Sequence, residues 1–339
     1  MDFTFTPEAD EAAELTASIL RDKTGTDRLK AVEAGGDRFD RELWATLGEA
    51  FDWSDLGLIE LCRVLVEVGR TVAPVPLATH GPSVFLLTEL GSDLPARLVT
   101  AAVSEERAAL PSTPVTTSDG STVSGTKTLV RAGMAADAFL VTASTPAGPG
   151  VFLVAADAAG VERQAQRTSD GDVTALVTFT GAAAMPVGDD STAHRLGELL
   201  IVAAAAEQLG VTDGALRLTA EYAKTREQFG RPIGTFQAVG QRLADAFIDV
   251  LCQRLALWQA VWRLSEGLDA STEVAVAKLW AADAGHRVAH TAVHVHGGVG
   301  IDLDGDAHRY FTSAKRFEFA FGSATEQALT IGRNFAAVG

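Results

Sequence analysis

The sequence has little cysteine. Cys62 and Cys252 are the only two in 339 residues, and neither belongs to a CxxC pair or a Cys/His spacing. A disulfide framework needs a larger even set of cysteines, and a structural zinc site needs clustered ligands. The scarcity therefore argues against both, and we expect two buried thiols.

Positive charge and long apolar runs are also scarce. The chain has 28 Lys and Arg against 44 Asp and Glu, a net charge of −16, with no basic run. Such a chain repels phosphate backbones and anionic lipid headgroups. The best apolar run, Leu199 to Ala206, is too short to cross a bilayer, and acidic residues near the N-terminus do not suit a signal peptide. We expect a cytoplasmic protein whose partners are neither nucleic acid nor membrane.

Hydrophobic periodicity changes twice along the chain. Helical spacing dominates residues 1–111, short extended runs rich in Thr, Val, Ser and Gly fill residues 112–188, and helical spacing returns over residues 189–339. This order predicts an α+β fold with an N-terminal helical domain, a small middle β domain and a C-terminal helical bundle. The glycine cluster at residues 297–300 follows a helical segment rather than a strand, which does not suit a Rossmann fingerprint or a P-loop.

Residues 225–237 carry the first candidate site. Arg226 offers a planar fork of donors to a pyrophosphate, Phe229 an apolar surface for a nucleotide, and Gln237 an amide from the next helix. The structural alternative is the end of a helix, with Gly230 at its C′ position and Pro232 preventing continuation. The spacing alone leaves both interpretations open.

The second candidate site is the run from His294 to Gly300, in which Gly297 and Gly298 permit close approach of another molecule. A metal site is the alternative, because His286, His290 and His294 recur every four residues. No carboxylate at ligand spacing completes such a site, so we predict no bound metal. The triad Asp302, Asp304 and Asp306 begins like a calcium loop, but residues 307 and 313 are Ala and Ser where that loop needs Gly and Glu.

Together the two segments resemble the acyl-CoA dehydrogenase family. Residues 226–237 are similar to its R-x-x-F-G signature with a following Gln, and residues 294–300 to its Q-x-x-G-G-x-G run. The resemblance implies FAD as cofactor, a four-helix bundle as the C-terminal domain, and contacts to the ADP part of an FAD that a neighbouring subunit mainly holds. The implied FAD contacts are Arg226, Phe229, Gln237, His294, Val295, Gly297 and Gly298. His294 departs from the pattern because the family usually has Gln there.

The family's catalytic base is missing from the chain. Dehydrogenation of an acyl thioester requires a base, usually Glu, to take the α-proton. The two positions where the family places this Glu hold Phe321 and Leu200 here, and neither can accept a proton. Glu207 and Glu198 are the nearest carboxylates to the second position. We expect Glu207, the weak candidate, to be a solvated helix residue rather than a base.

The β segment also departs from the family. Residues 124–127 and 136–137 resemble its N-G-x-K and A-D elements, but Leu129 and Arg131 replace the Trp and Thr that pack near the flavin ring. The family's T-E-P-x-x-G-S-D segment is not recognisable in residues 110–114. The resemblance thus implies a chain that is poor at holding a flavin ring of its own.

These departures are typical of one subunit of a heteromer. The chain resembles the short subunit without a base of actinobacterial α2β2 acyl-CoA dehydrogenases that act on steroid side chains. This resemblance implies a homologous partner that carries the catalytic Glu. It also implies an acyl-CoA substrate and an electron acceptor for the flavin. Two hypotheses stay open beside it. One is a self-sufficient homomeric flavoenzyme, either with an atypical base or an oxygenase that needs none, and the other is a flavin-free helical scaffold.

Overall fold

The computed structural model describes residues 4–92 and 98–338, and this part of the chain holds ten α-helices and ten strands. The N-terminal helices are α1 (Pro7–Lys23), α2 (Thr26–Ala34), α3 (Arg41–Ala50), α4 (Leu58–Arg70) and α5 (Leu77–Glu89). The strands that follow are β1 (Val99–Ala102), β2 (Thr117–Ser118), β3 (Thr122–Arg131), β4 (Ala138–Thr145), β5 (Gly148–Ala155), β6 (Val161–Arg167), β7 (Val173–Ala183) and β8 (Met185–Gly188).

The C-terminal part is helical again apart from one short hairpin. Its elements are α6 (Asp190–Thr225), β9 (Glu227–Gln228), β10 (Arg231–Pro232), α7 (Gln237–Ser265), α8 (Ser271–His296), α9 (Ala307–Phe319) and α10 (Ala324–Val338), with 3-10 turns at Ile233–Thr235 and Gly297–Ile301. This succession of helices, strands and helices confirms the α+β prediction.

Strands β1 to β8 form one mainly antiparallel sheet in the order β6-β7-β3-β2-β4-β5-β8, and β1 pairs in parallel with β4. Alternating side chains build its core. Val123, Val141, Val177 and Phe179 are all buried, and Phe139 meets Phe179 edge to face at 6.0 Å between ring centroids. Burial of this face stabilises the register, because a slip of one residue would turn these side chains to the opposite face of the sheet and out of this core.

The described chain falls into two compact units, one made of residues up to 31, 58–73 and 204 onward, the other of residues 32–57 and 74–203. The division into domains at residues 111 and 188 remains a proposal.

In the first unit α4 and α6 cross with their backbones in contact. A Cβ at Gly69 would lie 1.9 Å from the carbonyl oxygen of Glu207, and one at Gly210 would lie 2.0 Å from that of Val66. Only glycine fits at either position.

Helix α6 is long and apolar enough to cross a membrane, but 89% of its most apolar 18-residue window is buried inside the protein. Burial of this kind is typical of a core helix.

Of the two thiols, Cys62 is buried as expected, and burial raises its pKa. The same expectation is wrong for Cys252, which is only half-buried because it lies on the partly exposed face of α7.

Candidate functional site

The segment between α6 and α7 is a β-hairpin. Arg231 pairs with Gln228 and Pro232 with Glu227, and the N–H of Ile233 donates to the carbonyl of Arg226 at 2.8 Å. Phe229 and Gly230 form the two-residue loop with φ values of 54° and 78°. Positive φ at both central residues is the requirement of a type I′ turn, which favours Asn-Gly. The interpretation of Gly230 as a helix C′ residue is therefore wrong, because α6 has already ended at Thr225.

Phe229 lies at the tip of this hairpin with its ring exposed. The side chain is 92% exposed, and its nearest aromatic neighbour is Phe236, edge-on at 6.1 Å between centroids. A left-handed backbone costs an ordinary L-residue roughly 1–2 kcal/mol. The backbone conformation of Phe229 costs free energy, and its exposed ring gains none by burial in the isolated chain. Such a position is typical of a binding residue.

Arg226 and Gln237 flank the hairpin, and both are exposed. Within residues 4–92 and 98–338 the guanidinium of Arg226 makes no ion pair or hydrogen bond, whereas that of Arg231 lies 4.3 Å above the Phe236 ring. Gln237 is the first residue of α7, and no side chain caps that helix. An unpaired planar cation beside an uncapped helix N-terminus is a suitable surface for a phosphate group.

The run from His294 to Gly298 ends α8 and begins the next 3-10 turn. His294 is exposed, whereas Val295 is buried and leaves only its backbone for an outside contact. Gly297 has a φ of 67°, and a Cβ on Gly297 or Gly298 would meet no atom of the chain within 4 Å. Packing within this chain thus does not require a glycine at Gly298. Open backbone of this kind fits close approach by another molecule.

The structure brings the two segments together. Val295 from α8 packs with Ile233 and with Ala223 from α6, and Phe236 and Val239 lie against the same apolar cluster. The Tyr222 ring stacks on that of His296 with 4.3 Å between centroids. We refer to Arg226, Phe229, Gln237, His294, Gly297 and Gly298 as the clamp. Sequence analysis missed Tyr222 and His296, since nothing in either local pattern indicates a partner more than seventy residues away.

Neither position expected for a base offers one. Leu200 is fully buried in α6, and Phe321 packs against the apolar cluster around Ala314 and Phe317 with a φ of 57°. The ammonium of Lys278, also buried, donates to the carbonyls of Phe317 and Glu318 at 3.0 and 3.2 Å and so binds the end of α9 just before this turn. Burial lowers the pKa of Lys278 to about 7.

Glu207 is not the solvated residue expected from its sequence. Its side chain is 3% exposed, and its Oε1 lies 3.7 Å from Nη2 of Arg316. The guanidinium of Arg316 in turn sits 3.9 Å above the Phe317 ring. The expectation fails because α4 covers this face of α6 at Gly69. Glu198 is half-buried, and its Oε1 lies 3.4 Å from Nε2 of His194.

In the sheet, both substituted positions have structural roles. The Nε of Arg131 donates to Asp172 at 2.6 Å and its Nη2 to the Val75 carbonyl at 3.0 Å, all within the buried interior. Leu129 has a φ of 52°, and its N–H donates to Oε1 of Gln166 at 2.8 Å. A guanidinium committed to a buried ion pair is not available to a ligand.

The histidines of α8 do not assemble a metal site. The rings of His286 and His290 are 4.4 Å apart, but Nζ of Lys315 lies 2.7 Å from Nδ1 of His286 and brings positive charge there. Glu318, which the sequence spacing did not indicate, lies 3.2 Å from the same nitrogen. Within the described ranges no group of three or more His, Cys, Asp or Glu could hold a metal ion.

The aspartates of the calcium-like triad are already engaged by the protein. Asp304 pairs with Lys30 at 2.9 Å, and Asp306 pairs with Arg309 at 3.0 Å. Asp306 also accepts a hydrogen bond from Thr26 at 2.8 Å. These contacts account for the placement of the Asp304 and Asp306 side chains without a bound cation.

Known proteins are similar to this chain over nearly its whole length. Residues 202–336 match the model of the acyl-CoA dehydrogenase C-terminal domain. The acyl-CoA dehydrogenase FadE27 of Mycobacterium tuberculosis is 43% identical over 99% of this chain and 99% of its own length. A chain in the crystal structure of the ChsE4-ChsE5 complex from the same organism is 41% identical, with a TM-score of 0.92 over 99% of both chains. A chain of a Tcur3481-Tcur3483 steroid ACAD variant is 35% identical, also with a TM-score of 0.92, over 97% of this chain and 98% of that one.

Proposed function

The chain belongs to the acyl-CoA dehydrogenase family of oxidoreductases, and from that premise we propose that it is the clamp-bearing subunit of a heteromeric, FAD-dependent acyl-CoA dehydrogenase. The clamp binds the ADP half of an FAD whose ring lies in a homologous partner subunit. That partner supplies the Glu that takes the α-proton of the acyl-CoA. A steroid side-chain thioester is the proposed substrate, because a similar chain, 35% identical to this one, comes from a steroid ACAD.

One contrast carries the proposal. The groups suited to the nucleotide are exposed and have no polar partner among the described residues, whereas Phe321 and Leu200 leave both base positions apolar. A homomeric enzyme of this kind would offer the same exposed groups to its neighbour, but it would also carry a carboxylate at one of the two base positions. The unpaired Arg226, the exposed Phe229 ring and the open backbone at Gly298 fit the phosphates and the adenosine of FAD.

Within this proposal three of the clamp residues have separate tasks. When bound, FAD would supply the acceptor for the hydride that leaves the β-carbon of the acyl group. Arg226 neutralises pyrophosphate charge with a bidentate fork, and Gln237 adds a neutral donor at the start of α7. Phe229 shields the nucleotide from water. This chain therefore binds and orients the cofactor, while proton transfer belongs to the partner.

The proposal is tested by producing the chain alone, and together with an acyl-CoA dehydrogenase homologue that has Glu where this chain has Phe321. Flavin absorbance and oxidation of a steroid side-chain acyl-CoA are measured for each preparation, with a straight-chain acyl-CoA for comparison. We expect flavin and turnover only in the mixed complex, with two FAD per α2β2 tetramer. Full flavin loading and turnover by the lone chain would contradict the proposal.

Glu207→Gln tests the homomeric alternative. We expect the assembled complex to keep kcat within about threefold of the parent, because Glu207 is buried in an ion pair with Arg316 and glutamine has the same shape. Glu198→Gln is the matched control on the same helix. A general base contributes typically about 10²-fold or more, so a loss of that size in Glu207→Gln alone would make Glu207 the base.

Phe229→Asn should separate stability from cofactor binding. Asn tolerates the left-handed conformation, so the melting temperature of the chain should rise, by an amount equivalent to about 1 kcal/mol. Loss of the ring should weaken FAD binding by the complex roughly twofold to tenfold. Phe229→Ala removes the ring but keeps the strain, so it should lose FAD without the gain in stability. Unchanged FAD affinity in both variants would exclude Phe229 from the clamp.

A further inference from the structure

Beneath the clamp, the rings of Tyr222 and His296 form a stacked pair. Their centroids are 4.3 Å apart and their planes 21° apart, and His296 is 8% exposed. Tyr222 lies in the last turn of α6, and His296 is the last residue of α8. The pair therefore joins the ends of two long helices whose following residues belong to the clamp.

The Tyr222 side of the pair is connected directly to Arg226. The backbone N–H of Arg226 donates to the carbonyl of Tyr222 at 2.8 Å, and Oγ1 of Thr225 donates to the same oxygen at 3.3 Å. Since the Arg226 carbonyl also accepts from Ile233, the base of the hairpin is held one turn above the Tyr222 ring. A shift of the Tyr222 backbone would therefore displace Arg226 with it.

The His296 side is connected to the glycine backbone. His296 directly precedes Gly297, and a Cβ on Gly300 would lie 3.0 Å from the His296 Cβ, so the 3-10 turn folds closely over this residue. Its Nδ1 lies 2.8 Å from the carbonyl of Ala292, an acceptor, so this contact restrains the ring and places the proton on Nδ1. The orientation of the ring and the start of the Gly297-Gly298 turn are thus set together.

The aliphatic residues around the stacked pair restrict the relative orientation of the two segments less closely. Val295, Ile233 and Ala223 are aliphatic, and contacts among aliphatic side chains are not directional. Stacked rings prefer a restricted set of separations and offsets. Among the described contacts between the two segments, the stacked pair is the directional one.

We infer that the Tyr222–His296 stack is a positioning element that sets the placement of Arg226 relative to the Gly297-Gly298 backbone, and thereby the affinity for the ADP half of FAD. The inference rests on the proposed function of the clamp. Neither ring needs to touch the cofactor, since each acts through the segment that follows it.

Ring-retaining and ring-removing variants test the inference in the assembled complex. His296→Leu and Tyr222→Leu remove the stack, whereas His296→Phe and Tyr222→Phe keep it, and both His296 variants lose the bond to Ala292 equally. FAD affinity is measured by titration of the apo-complex, ADP affinity by competition, and stability by the melting temperature. We expect the Leu variants to bind FAD and ADP roughly twofold to tenfold more weakly, with the Phe variants close to the parent.

The controls separate this inference from the proposed function. Combined with Arg226→Ala, His296→Leu should add less than its separate effect, because the stack acts through Arg226. The inference is overturned if the Leu variants bind FAD as the parent does, or if the Phe variants lose as much as the Leu variants. The inference fails and the proposed function stands if Arg226→Ala loses FAD but the two Leu variants keep it. Retention of FAD by Arg226→Ala would instead contradict the proposed function.

Discussion

Replacing Arg226 with alanine should remove most of the FAD from the assembled complex. On the proposed function the guanidinium makes charge-assisted hydrogen bonds to the pyrophosphate, and within the described residues it has no other polar partner to restrain it. Loss of hydrogen bonds to a charged group costs about 2–3 kcal/mol, equivalent to roughly 30- to 150-fold in affinity. The measurement is flavin absorbance per tetramer after gel filtration, followed by FAD titration of the apo-complex.

Related substitutions show whether the fork geometry matters. Arg226→Lys keeps the charge but not the two parallel donors, so it should retain an intermediate affinity. Gln237→Ala removes one neutral donor and should have the smaller effect, about 1 kcal/mol. Arg333→Ala, on the exposed face of α10, is the control for loss of a surface cation. Undiminished flavin content in Arg226→Ala would show that the nucleotide binds elsewhere.

The largest loss of stability is expected in the sheet, at the buried pair of Lys127 and Glu105. Nζ of Lys127 lies 2.7 Å from Oε1 of Glu105, and both side chains are almost fully buried. Glu105 also accepts from the N–H groups of Val115 and Thr116, at 2.7 and 2.9 Å. Lys127→Met leaves that carboxylate buried without its cation. Such a change typically costs about 3–5 kcal/mol, which urea unfolding followed by tryptophan fluorescence would detect.

The double variant Lys127→Met with Glu105→Gln should recover part of this loss, because it removes the uncompensated charge and keeps one acceptor for the loop. Arg107→Met is the surface control, since its pair with Glu106 is about nine-tenths exposed on both sides. A Lys127→Met variant as stable as this control would show that the pair contributes nothing.

The pH dependence of the stability lost in Lys127→Met follows from the pKa values of Glu105 and Lys127. Burial by itself raises the pKa of Glu105, but hydrogen bonds from Lys127 and the two backbone N–H groups outweigh it and hold that pKa below its usual 4.5. The stabilisation that ionised Glu105 contributes is therefore present above pH 4.5. It is lost as the pH falls through the lower pKa that Glu105 has in the folded protein. Burial lowers the pKa of Lys127 from 10.5 to about 8. The unfolded chain then binds more protons between pH 8 and 10.5, so the parent should gain stability over Lys127→Met in that window.

Local pattern predicted the clamp residues but not their geometry. Gly230 fits a helix C′ position and the second position of a type I′ turn equally well, because both need positive φ. The pairing of Arg231 with Gln228 decided between them. The strained conformation and exposed ring of Phe229 became evident only with the hairpin, since a single aromatic residue carries no periodic signal.

Burial of Glu207 shows the same limit. A carboxylate in an alanine-rich helix is usually solvated, and the flanking sequence contains no sign of its partner. Arg316 comes from α9, and α4 covers the same face of α6 because Gly69 allows the backbones to touch. Contacts between distant segments depend on how helices cross, which side-chain periodicity does not specify.

By itself, the sequence determined the α+β order of elements and the apolar residues at positions 200 and 321, and it predicted which residues form the proposed clamp. These properties depend on residue type and short-range spacing. Only the tertiary structure decided that the hairpin and the end of α8 form one surface, through the packing of Val295 against Ile233 and the stacking of Tyr222 on His296. The physical reason is that these contacts gain free energy by burial between segments far apart in the chain, which no local pattern encodes.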